Sequence, residues 1–327
     1  MTKQQQKKAI ELFSLKNKRG TQLEILNFGA TVFGLLIDGQ TNVVVGPKEP
    51  ETYISNVYLQ EGKHFGASVG RHAGRISKGG FEINGQKFPL FGEEGIHLHG
   101  GKNGFTYKFW ELIEHHTGKD PFVVLEYNSP DGEEGYPGNL RVQVKYTLQE
   151  DNAVKVEYSA ETDRATIVNL TNHTYFNLNG CGSINNHELK IAADVVLETG
   201  KSNVPTGNLV EVDGREIDFR EAKRLENISL DTTFCLANVP DPIFLKGDKS
   251  GISLEIETNQ PAVVVYIPPT LPRSWDYATV VGEERAGICL EAQKFPDAPH
   301  HENFPSVLLS PGELYKNQSL WKFRSGS

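Results

Sequence analysis

The stretch RVQVKYTLQEDNAVKVEY, residues 141–158, decides the fold class. Val142, Val144, Tyr146 and Leu148 alternate with Arg141, Gln143, Lys145 and Thr147; beyond Glu150-Asp151-Asn152 the alternation resumes as Val154, Val156 and Tyr158 against Lys155 and Glu157. A period of two puts the apolar set on one face of an extended strand and the polar set on the other. Two such runs about a short polar turn make a hairpin. Ile252, Leu254 and Ile256 repeat the pattern against Ser253, Glu255 and Glu257, and the apolar run Ala262–Tyr266 suits a strand buried on both faces. Helical periodicity is confined to short candidates at residues 5–15 and 220–225. Glycine, 32 of 327 residues, exceeds its usual share of about 7% and stands at turn pairs such as Asp38-Gly39, Asn84-Gly85, Asp131-Gly132 and Asp213-Gly214. The pattern predicts an all-β chain, a large antiparallel β-structure.

At about 150 residues per domain the length allows two domains, but a large all-β sandwich or barrel could use such a length as one. Strand signals run unbroken through residues 145–260, with no Pro/Ser-rich linker and no internal repeat, so residues 1–327 are expected to form a single domain. Hydrophobic residues at 38% with Phe 17, Tyr 11 and Trp 3 place the chain among ordered globular proteins. Lys+Arg 33 against Asp+Glu 42 gives −9, a charge that phosphate backbones repel, so no nucleic-acid partner is expected. Cys181, Cys235 and Cys289 are three in number and each 54 residues from the next, which suits neither a disulfide framework nor a zinc site. They read as buried small side chains in a reducing cytosol. The N-terminal MTKQQQKKAIELFSL has no apolar secretion core, and no run approaches a membrane span of about 18 apolar residues, so a cytoplasmic protein is expected.

The histidines carry the first chemical signal. In Gly95-Ile96-His97-Leu98-His99-Gly100-Gly101 an extended backbone would put His97 and His99 on one face, a spacing able to bind metal. No third ligand accompanies them, so no metal is expected. His300-His301, next to Asp297 and Pro299, reads as a solvated loop. Thr171-Asn172-His173-Thr174-Tyr175-Phe176-Asn177 interleaves polar and aromatic residues, which is costly to bury unless each polar group is satisfied. His173 therefore belongs either to a structural network or to an active site. Glu291, in Gly287-Ile288-Cys289-Leu290-Glu291-Ala292-Gln293, is either a solvated strand-end group or a positioned base, with Gln293 on its face.

In combination and order, several segments resemble the aldose 1-epimerases: Asn27-Phe28-Gly29-Ala30-Thr31, Gly70-Arg71-His72-Ala73-Gly74-Arg75-Ile76, Leu98-His99-Gly100-Gly101, Asp131-Gly132-Glu133-Glu134-Gly135-Tyr136-Pro137-Gly138, Thr171-Asn172-His173-Thr174-Tyr175-Phe176-Asn177-Leu178, Pro205-Thr206-Gly207, Asp218-Phe219-Arg220 and Leu290-Glu291-Ala292-Gln293. The resemblance spans nearly the whole chain. It implies a β-sandwich with an open carbohydrate cleft, no cofactor, and interconversion of the α and β anomers of free sugars. Residue by residue it implies His173, Glu291 and His99 as catalytic groups, and Arg75 and Asp231 as ligands of ring hydroxyls. The chain departs from the family pattern at Gly74, where asparagine is common, at Thr232-Thr233, and at Pro268-Pro269, which leaves the preferred sugar open.

Mutarotation opens a cyclic hemiacetal and closes it on the other carbonyl face. One group must take the C1-hydroxyl proton while another protonates the ring oxygen. Reference pKa values near 4.3 and 6.5 suggest Glu291 as an anionic base and His173 as a partly charged acid at neutral pH. Phe176 either packs on the sugar or belongs to the core. Three alternatives stand beside this reading. A hexose-6-phosphate 1-epimerase would need a cationic cluster, for which Arg71, Arg75 and Lys102 are the supply. A non-catalytic carbohydrate-binding sandwich would not need His173 and Glu291, and a glycosidase would want two carboxylates. The expected partner is a monosaccharide, with the protein a monomer or homodimer.

Overall fold

The computed structural model describes residues 9–61, 63–279 and 284–326. The hairpin forms as its alternation requires: strands Leu140–Leu148 and Ala153–Thr162 pair antiparallel with Val144 opposite Tyr158 and Leu148 opposite Val154. Gln149 N–H donates to the Ala153 carbonyl to close the turn. Val142, Val144, Tyr146 and Leu148 are all buried. The pair sits within a nine-stranded sheet that runs, in spatial order, Glu111–His116, Phe122–Ser129, Leu140–Leu148, Ala153–Thr162, Tyr315–Arg324, Ser253–Thr258, Ile243–Lys246, Glu188–Ile191 and Lys223–Arg224.

A seven-stranded sheet lies against it: Pro205–Glu211, Val195–Thr199, Asp231–Cys235, Ala262–Tyr266, Ile288–Gln293, Tyr175–Phe176 and Val44–Val45. One apolar core is filled from both sheets, by Val144, Tyr146, Val156, Leu254 and Ile256 on one side and Phe176, Phe234, Val263, Val265 and Leu290 on the other. Alternation then dictates what the far face of the seven-stranded sheet carries. With Val263, Val265, Phe234 and Leu290 turned inward, Asp231, Thr233, Val264, Tyr266, Glu291 and Gln293 turn outward. Register aligns them in rows, Thr233 opposite Val264 and Val264 opposite Glu291. The fold thereby presents a polar face on a sheet whose other face is the core.

The two helical candidates are not helices. Leu12–Lys16 is a strand paired with Gln22–Leu26, its Phe13 and Leu15 buried between exposed neighbours, so period-two burial overrides helix propensity; residues 5–8 lie outside the described residues. Around 220–225 the Arg220 guanidinium bonds Asp218 and Asp213 in a turn, and Lys223–Arg224 joins the nine-stranded sheet. Phe176 is core, edge-on to Trp321. Of the cysteines, Cys289 is buried, Cys235 half-buried and Cys181 exposed, which corrects the expectation that all three are interior. No helix among the described residues is long and apolar enough to cross a membrane.

Candidate active site

The outward face of the seven-stranded sheet floors a cavity of about 240 Å³, walled by the loops that carry His64, Arg75, His99 and His173. His99, His173, Glu291, Arg75 and Asp231, scattered over more than 200 positions of sequence, all line it.

Each side chain is held from behind. His173 follows the short strand Thr171–Asn172, which pairs with Ser68–Val69. Its N–H donates to Ala67 O and its carbonyl accepts from Gly66 N–H. Asn172 donates to Gly66 O and Thr171 Oγ1 to Ala292 O, so the polar neighbours that made this segment expensive to bury are satisfied within the protein. That leaves the His173 ring for the cavity. Its Nδ1 faces Cys289 Sγ at 3.5 Å and its Nε2 lies 3.6 Å from Glu291 Oε1.

Glu291 is 2% exposed, in the interior of a fully buried strand and far from the solvated strand end. Its Oε2 and the neighbouring Gln293 Oε1 have no partner among the described residues. Buried acceptors of this kind are expensive unless a donor reaches them, and sugar hydroxyls are such donors.

His99 sits in the left-handed region with φ 51°, between Leu98 and Gly100. A Cβ on Gly100 would stand 1.8 Å from the Gly70 carbonyl oxygen, so the first glycine of the His-Gly-Gly run lets the two segments touch. His99 N–H donates to Gly74 O, and Gly74 N–H donates to His99 Nδ1 at 3.2 Å. With Nδ1 occupied as an acceptor, the neutral ring carries its hydrogen on Nε2 and offers a donor. Gly74 itself has φ 79°, and a Cβ there would meet Pro296 at 2.8 Å, so the departure from asparagine is built into the packing.

Arg75 Nη2 meets Asp231 Oδ2 at 3.3 Å, and Asn203 Nδ2 donates to the same oxygen at 2.7 Å. Both charges remain partly exposed to the cavity. Thr233 lines the same wall, whereas Pro268 and Pro269 stand outside the lining.

The structure corrects several expectations. His97 does not share a face with His99: its Nδ1 bonds the Phe91 carbonyl at 2.6 Å and its Nε2 meets Tyr136 Oη at 2.8 Å, because the strand ends at Leu98. Arg71 is buried and spends its guanidinium on Ser129, Pro130 and Pro137. Lys102 is exposed outside the cavity, so neither supplies a phosphate site. His300 and His301 do not form a solvated loop: both close on the buried Asp297. The expected charge state changes too. Burial, with His64 nearby, pushes His173 down to about 3, and burial, with Asp231 next, pushes the Glu291 carboxyl well above its ordinary range. An anionic Glu291 facing a cationic His173 is therefore not the resting form.

One lining histidine escaped sequence reasoning. His64 Nδ1 contacts Thr106 Oγ1 at 3.0 Å, and its ring centre lies 4.9 Å from that of His99 and 5.5 Å from that of His173. Burial pushes it down to about 4, and no motif around Lys63-His64-Phe65 marks it. Donor atoms of His99, His173 and Glu291 fall within 4.8 Å of one another, a spacing that could hold a metal ion. The Gly74 amide argues otherwise, since a ring whose Nδ1 accepts that hydrogen bond keeps its hydrogen on the cavity-facing Nε2, where a metal needs a lone pair.

The family model for aldose 1-epimerase matches residues 11–321. The galactose mutarotase of Rattus norvegicus is 38% identical over 333 residues, covering 96% of this chain and 94% of its own. That of Homo sapiens is 37% identical over 332 residues, with the same coverage of 96% and 94%. Among solved structures, galactose 1-epimerase from Lactobacillus acidophilus superposes with a TM-score of 0.88 at 29% identity, covering 100% of this chain and 98% of that one. With the sandwich, the cavity and these matches together, the chain belongs to the aldose 1-epimerase family, enzymes that interconvert the α and β anomers of sugars.

Proposed function

We propose that the chain, acting as a single domain, interconverts the anomers of free aldohexoses such as glucose and galactose, with Glu291 as general base, His173 as general acid, His99 as a hydrogen-bond donor near the ring oxygen, and Arg75 and Asp231 holding ring hydroxyls. The observation that carries this reading is the buried Glu291–His173 contact of 3.6 Å, with Glu291 Oε2 left unpartnered.

In ring opening Glu291 takes the C1-hydroxyl proton, the C1–O5 bond breaks with its electron pair going to O5, and His173 Nε2 delivers a proton there. After rotation about C1–C2, neutral His173 recovers that proton as O5 attacks the other face, and Glu291 returns its own to the carbonyl oxygen. The pair starts as Glu⁻ and His⁺ and ends as neutral acid and neutral imidazole. Burial penalises the first form and favours the second, so the environment that lifts the energy of the reactive ion pair also stabilises the ring-open state. Each positioned acid or base contributes about 10²–10⁴-fold, and no metal enters these steps. Optical rotation of freshly dissolved α-glucose and α-galactose, with and without protein, tests the reading: relaxation no faster than the spontaneous rate would end it.

The cationic supply of the cavity argues against a phosphorylated substrate. Lys63 and Arg75 are the cations among its described lining residues, and Arg75 is engaged with Asp231. A phosphate dianion would meet one ammonium, that of Lys63, against the Asp231 carboxylate. Free glucose or galactose is expected to have a kcat/KM higher than its 6-phosphate by about tenfold or more, equivalent to about 1.4 kcal/mol. A competition assay by NMR exchange checks this, and a clear preference for the 6-phosphate would make the protein a hexose-phosphate epimerase. Free cysteines suit a cytoplasmic enzyme and the acidic charge of −9 disfavours a nucleic-acid partner; a monomer or homodimer acting away from the membrane is proposed with them.

A further inference from the structure

Behind the cavity wall, Ser77, Asp297, His300 and His301 form a cluster that the chemistry above does not use. Asp297 is 1% exposed. Its Oδ1 accepts from Ser77 N–H at 2.8 Å and from His300 Nδ1 at 2.6 Å, its Oδ2 accepts from Ser77 Oγ at 2.8 Å, and His301 Nε2 stands 3.6 Å from Oδ2. Its own N–H donates to the Arg75 carbonyl at 2.7 Å. Asp297 thus grips the chain on both sides of Ile76, at Arg75 and at Ser77.

That grip adds to the support on the N-terminal side of Arg75, where Gly74 exchanges two hydrogen bonds with His99 and Ala73 N–H donates to Asn169 O. The strand Arg75–Ile76 is two residues long and pairs only with His97–Leu98. Such a short ladder fixes a backbone weakly, yet Arg75 must hold its guanidinium against Asp231 at the cavity wall. Asp297 lies six positions beyond Glu291 on the chain leaving the Ile288–Gln293 strand, so it ties the Arg75 segment to the strand that carries the base. The cluster reaches a third wall through His301, whose Nδ1 would stand 2.7 Å from a Cβ on Gly207, and through Asn303 Nδ2, which donates to Gly207 O at 2.9 Å. Gly207 lies on the strand Pro205–Glu211, which begins two residues after Asn203, the second partner of Asp231. The cluster thus holds the Arg75 segment directly and stands against the strand that follows Asn203.

We infer that Asp297 is a positioning residue that sets the Arg75–Asp231–Asn203 arrangement and, through it, the affinity for the sugar ring, with little influence on the proton transfers. The inference rests on the reading of Arg75 and Asp231 as ligands of ring hydroxyls.

Asp297 has φ 56°, a backbone that glycine adopts freely, so Asp297→Gly removes the carboxylate without straining the turn. Measured with D-galactose by NMR anomer exchange and by calorimetry, Asp297→Gly is expected to raise KM and Kd by about tenfold or more while kcat stays within about threefold of wild type. Asp297→Asn, which keeps an acceptor for Ser77 N–H, is expected to fall between. KM and Kd within twofold of wild type in folded Asp297→Gly would overturn the inference, as would a fall in kcat at unchanged KM or a lower Tm with unchanged binding. If Asp297→Gly does not fold, Asp297→Asn and Ser77→Ala decide by the same criterion: raised KM and Kd support it, unchanged values overturn it. If the wild type binds galactose but does not speed exchange, the proposed function fails while Kd still scores Asp297.

Discussion

Glu291→Gln is expected to lower kcat for the anomer exchange of galactose by about 10²–10⁴-fold, the worth of a positioned general base, with the fold retained and the sugar still bound. The amide keeps the shape of the carboxyl and still accepts at its oxygen, but it cannot take the C1-hydroxyl proton. Burial gives a second reason for this choice. Glu291 lies on a strand with every residue buried, between Leu290 in the core and Ala292; truncation to Ala would add a cavity whose cost confuses stability with catalysis. The substitution exchanges one buried polar group for an uncharged one of the same shape, so stability is expected to stay close to that of wild type. Exchange spectroscopy on the two C1 signals measures the rate directly. Turnover within about tenfold of wild type would exclude Glu291 as the base.

His173→Asn should lose about the same factor through loss of the acid, and the double variant Glu291→Gln/His173→Asn should be little worse than the poorer single. The reason lies in the shared proton. Base and acid act in one step across a 3.6 Å contact, so once either is gone the concerted route has gone, and the two losses do not add. Two groups working independently would instead give a double variant with the product of the two losses. The spontaneous rate must be subtracted at every protein concentration, because a free sugar mutarotates in water by itself. A multiplicative double variant would separate the two residues mechanistically.

How much of this was legible before any coordinates depends on which physical signal each residue leaves in the chain. Alternation at 140–158 and at 253–257 exposes the strands because burial on a pleated sheet has a period of two. It also fixes which side chains share a face, which is why Gln293 could be placed beside Glu291. What alternation cannot carry is the meeting of distant segments. Arg75, His99, His173, Asp231 and Glu291 converge through sheet order and loop packing, so their grouping came from family motifs and not from spacing. His64 shows the limit: it stands in no motif, and its place among the histidines follows from Thr106 and from the turn at residues 64–67. The failure at His97 has a local cause, since a strand that stops at Leu98 breaks the face that His97 and His99 would have shared. His300 and His301 resemble a solvated loop in sequence because the carboxylate that orders them, Asp297, is buried by contacts with Ser77 over 200 positions away. The charge state of Glu291 and His173 was likewise invisible, because reference pKa values contain no burial.

The central claim is that one proton is shared by a pair whose surroundings favour its neutral form, and the pH dependence of kcat/KM tests it most directly, because that ratio reports the free enzyme. Activity requires the pair to hold one proton in total. A second proton is taken up only as pH falls toward the value of His173, held at about 3 by burial and by His64, so no acid limb is expected between about pH 5 and 7. The single proton is lost only as pH rises through the value of Glu291, which burial places well above the ordinary carboxylate range, and the alkaline limb belongs there. Measured by exchange spectroscopy with D-galactose, the profile is expected to show no acid limb at the ordinary carboxylate value of about 4.3, the loss on the acid side falling toward the His173 value of about 3. A loss of kcat/KM with falling pH centred at about 4.3 would contradict it, since that limb would show a Glu291 of ordinary acidity taking up the second proton.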